Sequence, residues 1–244
     1  MQAYLDNSAT TRVDAQVQEL MKKLMDVDFG NPSSRHQKGV VAEGYIKDAR
    51  QKIAATLKVD PKELIITSGG TESNNMALIG TALAAKRKGN HIITTAVEHP
   101  SVKATASFLE EQGFRITFLS VDSRGQISLE ELKEALTPDT ILVSIMYVNN
   151  EIGTIQPIEK IAKIAHEQNI TFHTDAVQAI GNMPIDVQKL QIDMLSLSGH
   201  KINAPKGIGA LYIKNGINVE KYINGGHQER DKRAGTENVA GIVG

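Results

Sequence analysis

A lysine follows a Ser-Gly-His turn in the segment SLSGHKINAPKGIGALYI, residues 196–213. A connection between two short apolar runs commonly uses Gly, Asn or Asp, so a bulky cation at this point is unusual. Most loop lysines are solvated surface residues. An amine held in a pocket can instead form a Schiff base with a carbonyl compound. The choice between these two interpretations of Lys201 depends on the other polar residues that the fold brings near it.

A second polar cluster, SGGT at positions 68–71, follows the apolar run ELIIT. Two glycines let a backbone approach an anion. Gly70 and Thr71 also open a predicted helix whose free N–H groups and positive dipole end favour phosphate. A helix N-cap with a flexible turn would give the same pattern. The spacing differs from the phosphate loop of NTPases, and the GIG at 207–209 lacks the third glycine of a dinucleotide fingerprint.

Further polar residues follow other apolar runs. His99 stands between HIITT and a proline, Asn150 follows TILVSIM, and Asp175 with Gln178 follows ITFHT. An aspartate at a buried strand end needs a strong partner, because an unpaired buried carboxylate is very costly. His173 and Asp175 could share a metal, but two protein ligands alone make a poor site. We therefore expect no metal.

Together these groups match the requirements of pyridoxal 5'-phosphate. Its phosphate needs N–H and hydroxyl donors, its ring a stacking partner, its pyridine nitrogen a carboxylate and its aldehyde an amine. A carboxylate beside the ring nitrogen keeps that nitrogen protonated, so that the ring can accept electrons from a substrate carbanion. Asp175 and Lys201 suit the last two roles.

The elements that must position these residues alternate along the chain. Apolar residues recur at helical spacing over 17–24 and 42–57, and short apolar runs alternate with helical patterns from there on. This alternation predicts βαβ units and a mostly parallel, doubly wound sheet flanked by helices. The predicted strands cover 63–67, 91–95, 115–119, 140–146, 170–174, 193–198 and 209–213, with helices over 71–89, 101–112, 128–136 and 157–168.

Composition excludes several classes of function. The chain has 244 residues, a formal net charge of -1, 4% aromatic residues and no Trp. A basic, aromatic nucleic-acid surface is therefore not expected, and no apolar run approaches the roughly 20 residues of a membrane span. The N-terminus lacks the apolar core of a signal peptide. We expect a cytoplasmic protein that binds neither nucleic acid nor membranes.

Eight segments in order resemble the motifs of the NifS-like cysteine desulfurases: YLDNSATT, GNPSS, TSGGTESNN, EHPSV, VNNEIGTIQPI, HTDAVQAIG, SLSGHKINAPKGIGALYI and GGHQERDKRAGTEN. The resemblance implies the large domain of the aminotransferase-like fold type I, pyridoxal 5'-phosphate as cofactor and a homodimer. It implies a sulfurtransferase that converts L-cysteine into L-alanine and an enzyme-bound persulfide. That sulfur would serve iron–sulfur clusters or other thio-cofactors through scaffold or acceptor proteins.

By the same resemblance, five residues bind the cofactor phosphate. Gly70 and Thr71 correspond to the phosphate-binding helix start, and Ser198 and His200 support the phosphate from the turn before the lysine. Thr236 corresponds to a residue that reaches the phosphate of the partner subunit. The segment 225–238 has no obvious anion of its own chain to bind, which favours a place at a two-fold interface over a solvent loop.

The resemblance assigns five residues to the cofactor ring and the reaction. Lys201 corresponds to the Schiff-base lysine, and His99 to a histidine that stacks on the ring and moves protons. Asp175 corresponds to the partner of the pyridine nitrogen, Gln178 to a residue near the phenolic oxygen, and Asn150 to an amide near cofactor and substrate.

Two features depart from the family pattern. The chain has no cysteine, whereas the family carries its persulfide on a loop cysteine in a smaller C-terminal domain, together with an arginine that binds the substrate carboxylate. We expect an N-terminal arm (1–15) and a cofactor-binding large domain (16–244) of a truncated enzyme, inactive alone. In addition, His227 and Asp231 stand where the family has glycines.

Two other classes of function stay open. One is different pyridoxal phosphate chemistry on the same fold, such as a selenocysteine lyase or a β-elimination, which does not always need the loop cysteine. The other is a non-catalytic scaffold that holds the cofactor and binds iron–sulfur assembly partners.

Overall fold

A seven-stranded sheet runs through residues 3–244, the part of the chain that the computed structural model describes. The strands are β1 (Leu64–Thr67), β2 (His91–Thr95), β3 (Arg115–Leu119), β4 (Thr140–Ser144), β5 (Thr171–Asp175), β6 (Met194–Ser198) and β7 (Gly209–Ile213). Their order in the sheet is β1-β7-β6-β5-β4-β2-β3. Strands β2 to β6 are parallel to one another, whereas β7 is antiparallel to β1 and to β6.

Helices cover both faces of this sheet, which confirms the predicted doubly wound α/β architecture. Neighbouring strand residues alternate between two apolar clusters, as in Ile92 and Ile93 or Leu142 and Val143. The helices are α1 (Ala15–Asp26), α2 (Gln37–Leu57), α3 (Gly70–Ala85), α4 (Pro100–Glu111), α5 (Leu129–Ala135), α6 (Ile158–Glu167) and α7 (Val239–Val243). One cluster includes residues of α3 and α4, and the other includes residues of α2, α5 and α6.

The antiparallel strand β7 brings two loops of interest together. Residues 199–208, which join β6 to β7, are fewer than the dozen or so that a parallel crossover requires, so the chain returns antiparallel. Gly209, the first residue of β7, pairs with Ser198 on one side and Thr67 on the other. A Cβ at Gly209 would lie 2.6 Å from the Leu197 carbonyl oxygen. Glycine there lets the turn after β6 and the loop after β1 lie side by side.

Side chains pair with the outer edge of β1, which would otherwise expose unpaired backbone groups. The Ile66 N–H donates to Glu229 Oε2 (2.8 Å), and the Leu64 carbonyl accepts from Arg50 and Arg230 (2.7 Å each). Glu229, Arg230 and Asp231 have φ values of 45°, 55° and 63°. This left-handed turn directs the Glu229 side chain toward the strand.

The segment before α1 lies along the turn that follows β6. The Thr11 N–H donates to the His200 carbonyl (2.8 Å), and the Asp14 N–H donates to the Asn203 carbonyl (3.0 Å). Residues 1 and 2 of the expected N-terminal arm lie outside the described residues. Within the described chain, no helix has the length and apolar character needed to cross a membrane.

Candidate active site

A cleft of about 520 Å³ lies at the carboxyl ends of the parallel strands. This is the edge where open α/β sheets collect ligands. Every candidate residue predicted from the sequence lines this cleft except Thr236; the lining candidates are Gly70, Thr71, His99, Asn150, Asp175, Gln178, Ser198, His200 and Lys201. The structure therefore brings together groups from five loops.

Lys201 ends a single 3₁₀ turn after β6, and its amine meets the segment before α1. The Lys201 Nζ donates to the carbonyl oxygens of Ser8 and of Ala9, the latter at 2.8 Å. Gln178 Nε2 donates to the same Ser8 carbonyl at 2.8 Å. Burial lowers the pKa of Lys201, against the opposing charges of Asp6 and Asp175. A lowered pKa increases the fraction of neutral, nucleophilic amine.

Asp175 ends β5 and is buried, with both carboxylate oxygens hydrogen-bonded. Oδ1 accepts from the Val177 N–H (3.0 Å), and Oδ2 accepts from Asn74 Nδ2 (2.7 Å). Burial raises the pKa of Asp175, while these two donors, with the charges of His99 and Lys201, oppose the rise. Both protein donors therefore favour the ionised carboxylate.

His99 caps the start of α4 and is hydrogen-bonded on one side of its ring. Its Nδ1 accepts from the Ser101 N–H (3.1 Å) and lies 2.7 Å from Ser101 Oγ. Ser101 Oγ in turn accepts from Asn74 Nδ2 at 2.9 Å. Asn74 and Ser101 also line the cleft, although neither was predicted from the sequence. Asn74 is a polar residue on the buried side of α3, and that position is the signal that could have revealed it.

The start of α3 has the form of an anion site. Its N-cap, Gly69, has no side chain to occupy the first N–H groups of the helix. A Cβ at Gly70 would lie 2.7 Å from Val177 Cγ2, so this position keeps the helix start close to the loop after β5. Thr71 and Ser198 add hydroxyl groups to the same part of the cleft.

An ion pair neutralises the acidic residue in the first turn of α3. Glu72 Oε1 accepts from Arg233 Nε (2.8 Å), and Oε2 accepts from Arg233 Nη2 (3.2 Å) and from the Ser68 N–H (2.9 Å). Although burial acts in the opposite direction, these bonds hold the pKa of Glu72 below its usual range. The carboxylate is thus ionised and paired with Arg233.

The remaining candidates approach the cleft from two sides. His200 Nδ1 lies 3.2 Å from Thr10 Oγ1, and burial, followed by the charges of Lys201 and Lys206, lowers the pKa of its ring. Of the two adjacent asparagines, Asn149 folds its side chain back to accept from the N–H groups of residues 151 and 152. Asn150 lines the cleft.

Glu98 is a buried carboxyl group directly before His99, and no role was predicted for it from the sequence. Its Oε1 accepts from Thr95 Oγ1 and from the Met146 N–H, both at 2.9 Å. Burial raises the pKa of Glu98 to about 8. The protonated acid thus fixes the chain at Met146, which lines the cleft beyond β4.

His173 does not take part in the site. Its Nδ1 pairs with Ser144 Oγ (2.8 Å) and its Nε2 with Ser196 Oγ (3.0 Å). Burial lowers the pKa of this ring to about 3. Both nitrogens are therefore engaged within the sheet, and a metal shared with Asp175 is not compatible with this arrangement. Residues 3–244 contain no group of three or more His, Cys, Asp or Glu side chains that could hold a metal.

Thr236 lies in a separate cavity of about 160 Å³, near Ser68 and Gly207. The expectation that its segment has no anion of its own chain is wrong, because Arg233 pairs with Glu72. Arg230 likewise has an intrachain acceptor, the Leu64 carbonyl. The assignment of Thr236 to a partner's phosphate stays a prediction.

The family model described as "Aminotransferase class-V" matches residues 3–244, and the chain belongs to this family. Within it, the chain is 55% identical over 241 residues to a cysteine desulfurase IscS of Methanosarcina thermophila, covering 99% of this chain and 60% of that protein. It is 53% identical over 243 residues to a cysteine desulfurase IscS of Dictyoglomus turgidum, covering 100% of this chain and 62% of that protein.

Solved structures agree with these relatives. A NifS-like protein superposes with a TM-score of 0.97 and 45% identity, covering 100% of this chain and 67% of that one. The structure described as SspA in complex with cysteine superposes with a TM-score of 0.96 and 44% identity, covering 99% of this chain and 70% of that one. The resemblance to NifS-like cysteine desulfurases and to their fold is thus confirmed. The chain spans about 60% of the length of the curated relatives it matches.

Proposed function

We propose that this chain forms the pyridoxal 5'-phosphate site of a cysteine desulfurase, an enzyme that converts L-cysteine into L-alanine. The sulfur would pass on as a persulfide for iron–sulfur cluster or thio-cofactor assembly. One observation carries the proposal: a single cleft combines the Lys201 amine, the buried Asp175 carboxylate, the His99 ring and an uncapped helix start. The names of the relatives support the substrate and the reaction.

The residues of the cleft fit this cofactor. The first N–H groups of α3 have no side-chain cap at Gly69, and hydroxyls of Thr71 and Ser198 stand beside them. These groups, with His200, would hold the phosphate. Lys201 would hold the aldehyde carbon, Asp175 the ring nitrogen and Gln178 the phenolic oxygen, while His99 would stack on the ring. When bound, the cofactor supplies an electron sink for a carbanion at the substrate α-carbon.

The chain's own residues prepare this chemistry. Asp175 accepts two hydrogen bonds that favour its ionised form, so it can keep a proton on a ring nitrogen beside it. Burial increases the neutral fraction of the Lys201 amine, which is the form that attacks a carbonyl. His99 is fixed through Nδ1, which leaves Nε2 to donate or accept a proton in the cleft. Asn150 would orient the substrate.

The sulfur acceptor requires a thiol that these 244 residues do not contain, since the sequence has no cysteine. Attack of a thiolate on the substrate sulfur would form the persulfide, and the electron pair of the broken C–S bond would return to the carbon that becomes alanine. We expect this chain alone to bind L-cysteine without efficient desulfurase turnover, because positioning of the thiol contributes orders of magnitude in rate.

A second candidate is pyridoxal phosphate chemistry that needs no persulfide. Selenocysteine lysis and β-elimination belong to this class. A scaffold that binds the cofactor without turnover would have the same cleft.

Assembly and location are further proposals from the family resemblance. A homodimer in the cytoplasm would place Thr236 at the phosphate of the partner subunit, and two-fold symmetry would make this contact reciprocal. Residues 1–15 would then be an N-terminal arm and residues 16–244 the cofactor domain. Light scattering at micromolar concentration should give a dimer, and Thr236→Ala should weaken cofactor binding; a monomer with unchanged affinity in this variant would exclude the arrangement.

The test of the reaction compares products from L-cysteine with and without an added small thiol. Desulfuration gives alanine, together with a persulfide or sulfide whose formation depends on the added thiol. β-Elimination gives pyruvate, ammonia and sulfide, and it does not need the thiol. Lys201→Ala is the control for free cofactor. Pyruvate as the main product would replace the desulfurase proposal, and the absence of any product that depends on Lys201 would favour the scaffold.

A further inference from the structure

The segment before α1 has two parts that are held in different ways. Residues 10–14 pair with the turn after β6, where Thr11 donates to the His200 carbonyl and Asp14 to the Asn203 carbonyl. Residues 3–9, which we call the strap, are all exposed. Apart from bonds among residues 6–10, the strap makes three hydrogen bonds within the described chain. Since burial contributes little to its position, these three bonds must hold it.

All three bonds end at two carbonyl groups of the strap that line the cleft. The Lys201 Nζ donates to the carbonyl oxygens of Ser8 and Ala9. Gln178 Nε2 donates to the Ser8 carbonyl at 2.8 Å. A carbonyl oxygen has two lone pairs, so Ser8 can accept from both side chains at once. The Ser8 carbonyl therefore has donors from two different loops, whereas the Ala9 carbonyl depends on Lys201.

The two donors differ in whether the proposed chemistry consumes them. An ammonium group has three N–H donors. An amine that condenses with an aldehyde releases water, and its nitrogen then carries at most one N–H. Lys201 cannot keep both bonds to the strap after such a step. The Gln178 amide nitrogen has two protons, and only one of them has an acceptor in the described chain. Gln178 can therefore hold Ser8 and still donate to a ligand in the cleft.

We propose that Gln178 is a positioning residue that keeps the strap on the cleft when Lys201 leaves the Ser8 and Ala9 carbonyls. Both side chains hold the strap while the amine is free, and Gln178 alone holds it once the amine is engaged. The relevance for catalysis rests on the proposed function, in which Lys201 reacts with an aldehyde. The wall of the cleft at Ser8 and Ala9 then stays in place during the reaction.

The test is electron paramagnetic resonance of the cofactor-free chain with a nitroxide attached through Leu5→Cys. Leu5 is 89% exposed, and the chain has no cysteine that would take a second label. Lys201→Met and Gln178→Met remove the donors but keep side chains of similar length. A hydrogen bond shifts such an equilibrium by roughly two- to tenfold. Adding Gln178→Met to Lys201→Met should raise the ratio of mobile to immobile label by that factor. In the presence of Lys201, Gln178→Met should have a smaller effect.

Two controls separate loss of these bonds from a general loosening. Lys206→Met removes an exposed lysine of the same connection and should leave the spectrum unchanged. A label attached through Met25→Cys, at a position of α1 that is 62% exposed, should keep its spectrum in every variant.

A fully mobile label at position 5 of the otherwise unchanged chain would overturn the proposal without any further variant. An unchanged ratio when Gln178→Met is added to Lys201→Met would also overturn it, as would an equal change in Lys206→Met. No readout requires the cofactor, so failure of this proposal and failure of the cofactor site are distinguishable.

Discussion

Replacing Glu229 with alanine should strongly destabilise the fold, because this carboxylate closes the outer edge of β1. Arg50 binds it through two contacts, Nη1 to Oε2 (3.0 Å) and Nη2 to Oε1 (2.5 Å), and the side chains are 14% and 4% exposed. The Ile66 N–H donates to the same carboxylate. Strand β1 leads directly into the loop at 68–71, so its edge also positions the proposed phosphate site.

The expected cost follows from what Glu229→Ala leaves behind. Removing one partner of a buried ion pair typically costs about 3–5 kcal/mol, since the other charge stays buried. The unpaired Ile66 N–H is part of this loss. In a domain of this size, each kcal/mol of lost stability lowers the melting temperature by about 2–4 °C, so we expect a fall of about 6–20 °C.

Calorimetry of the parent chain, Glu229→Ala and Glu229→Gln measures this effect. The glutamine variant keeps an acceptor for the Ile66 N–H and for Arg50 but loses the charge, so it should lose about half as much. Lys58→Ala is a matched control, because it removes an exposed ion pair with Asp186, and such pairs contribute about 0–1 kcal/mol. A Glu229→Ala variant that melts within 2 °C of this control, a threshold of roughly 1 kcal/mol, would refute the reasoning.

Three further predictions follow from charged groups near and far from the cleft. Arg233→Gln leaves the charge of Glu72 uncompensated in the first turn of α3, so the affinity for pyridoxal phosphate should fall about tenfold. The affinity for pyridoxal should stay unchanged, and adding Glu72→Gln should restore the affinity for pyridoxal phosphate. Equal losses for both ligands in an absorbance titration would contradict this. The hydrogen bond to Asp193 raises the pKa of His166, so this pair contributes stability that is complete below pH 6.5 and is lost as pH rises through the folded-state pKa. The melting temperature of His166→Gln should therefore approach that of the parent chain at high pH, and a difference independent of pH would contradict the pairing. The pKa of Glu98 is raised from 4.5 to about 8, so the parent chain should lose stability relative to Glu98→Gln between those pH values; parallel melting curves would show that Glu98 is not buried as a neutral acid.

Much of the fold could be predicted because buried parallel strands are short apolar runs bounded by turn residues. Strands β2, β3 and β7 have the predicted bounds, and the other four differ by at most two residues at either end. The direction of β7 was not predicted, since an apolar run has the same pattern in either orientation. Its reversal follows from the short connection at 199–208.

The grouping of residues in one cleft could be predicted where a polar residue follows a strand end, as for Lys201 and Asp175, which both line it. It was not predictable where a role depends on distant partners. Asn74 is 101 residues from Asp175 and 27 from Ser101 in the sequence. Arg233 and its partner Glu72 are 161 residues apart, so their ion pair could not be predicted from the sequence alone.

The central claim is that the cleft binds pyridoxal phosphate through Lys201. The direct measurement is borohydride reduction of the chain after incubation with the cofactor, followed by peptide mapping by mass spectrometry. The account predicts a reduced pyridoxyl phosphate group on Lys201, lost in Lys201→Ala. A label on Lys206 or Lys214, or on no lysine, would contradict it.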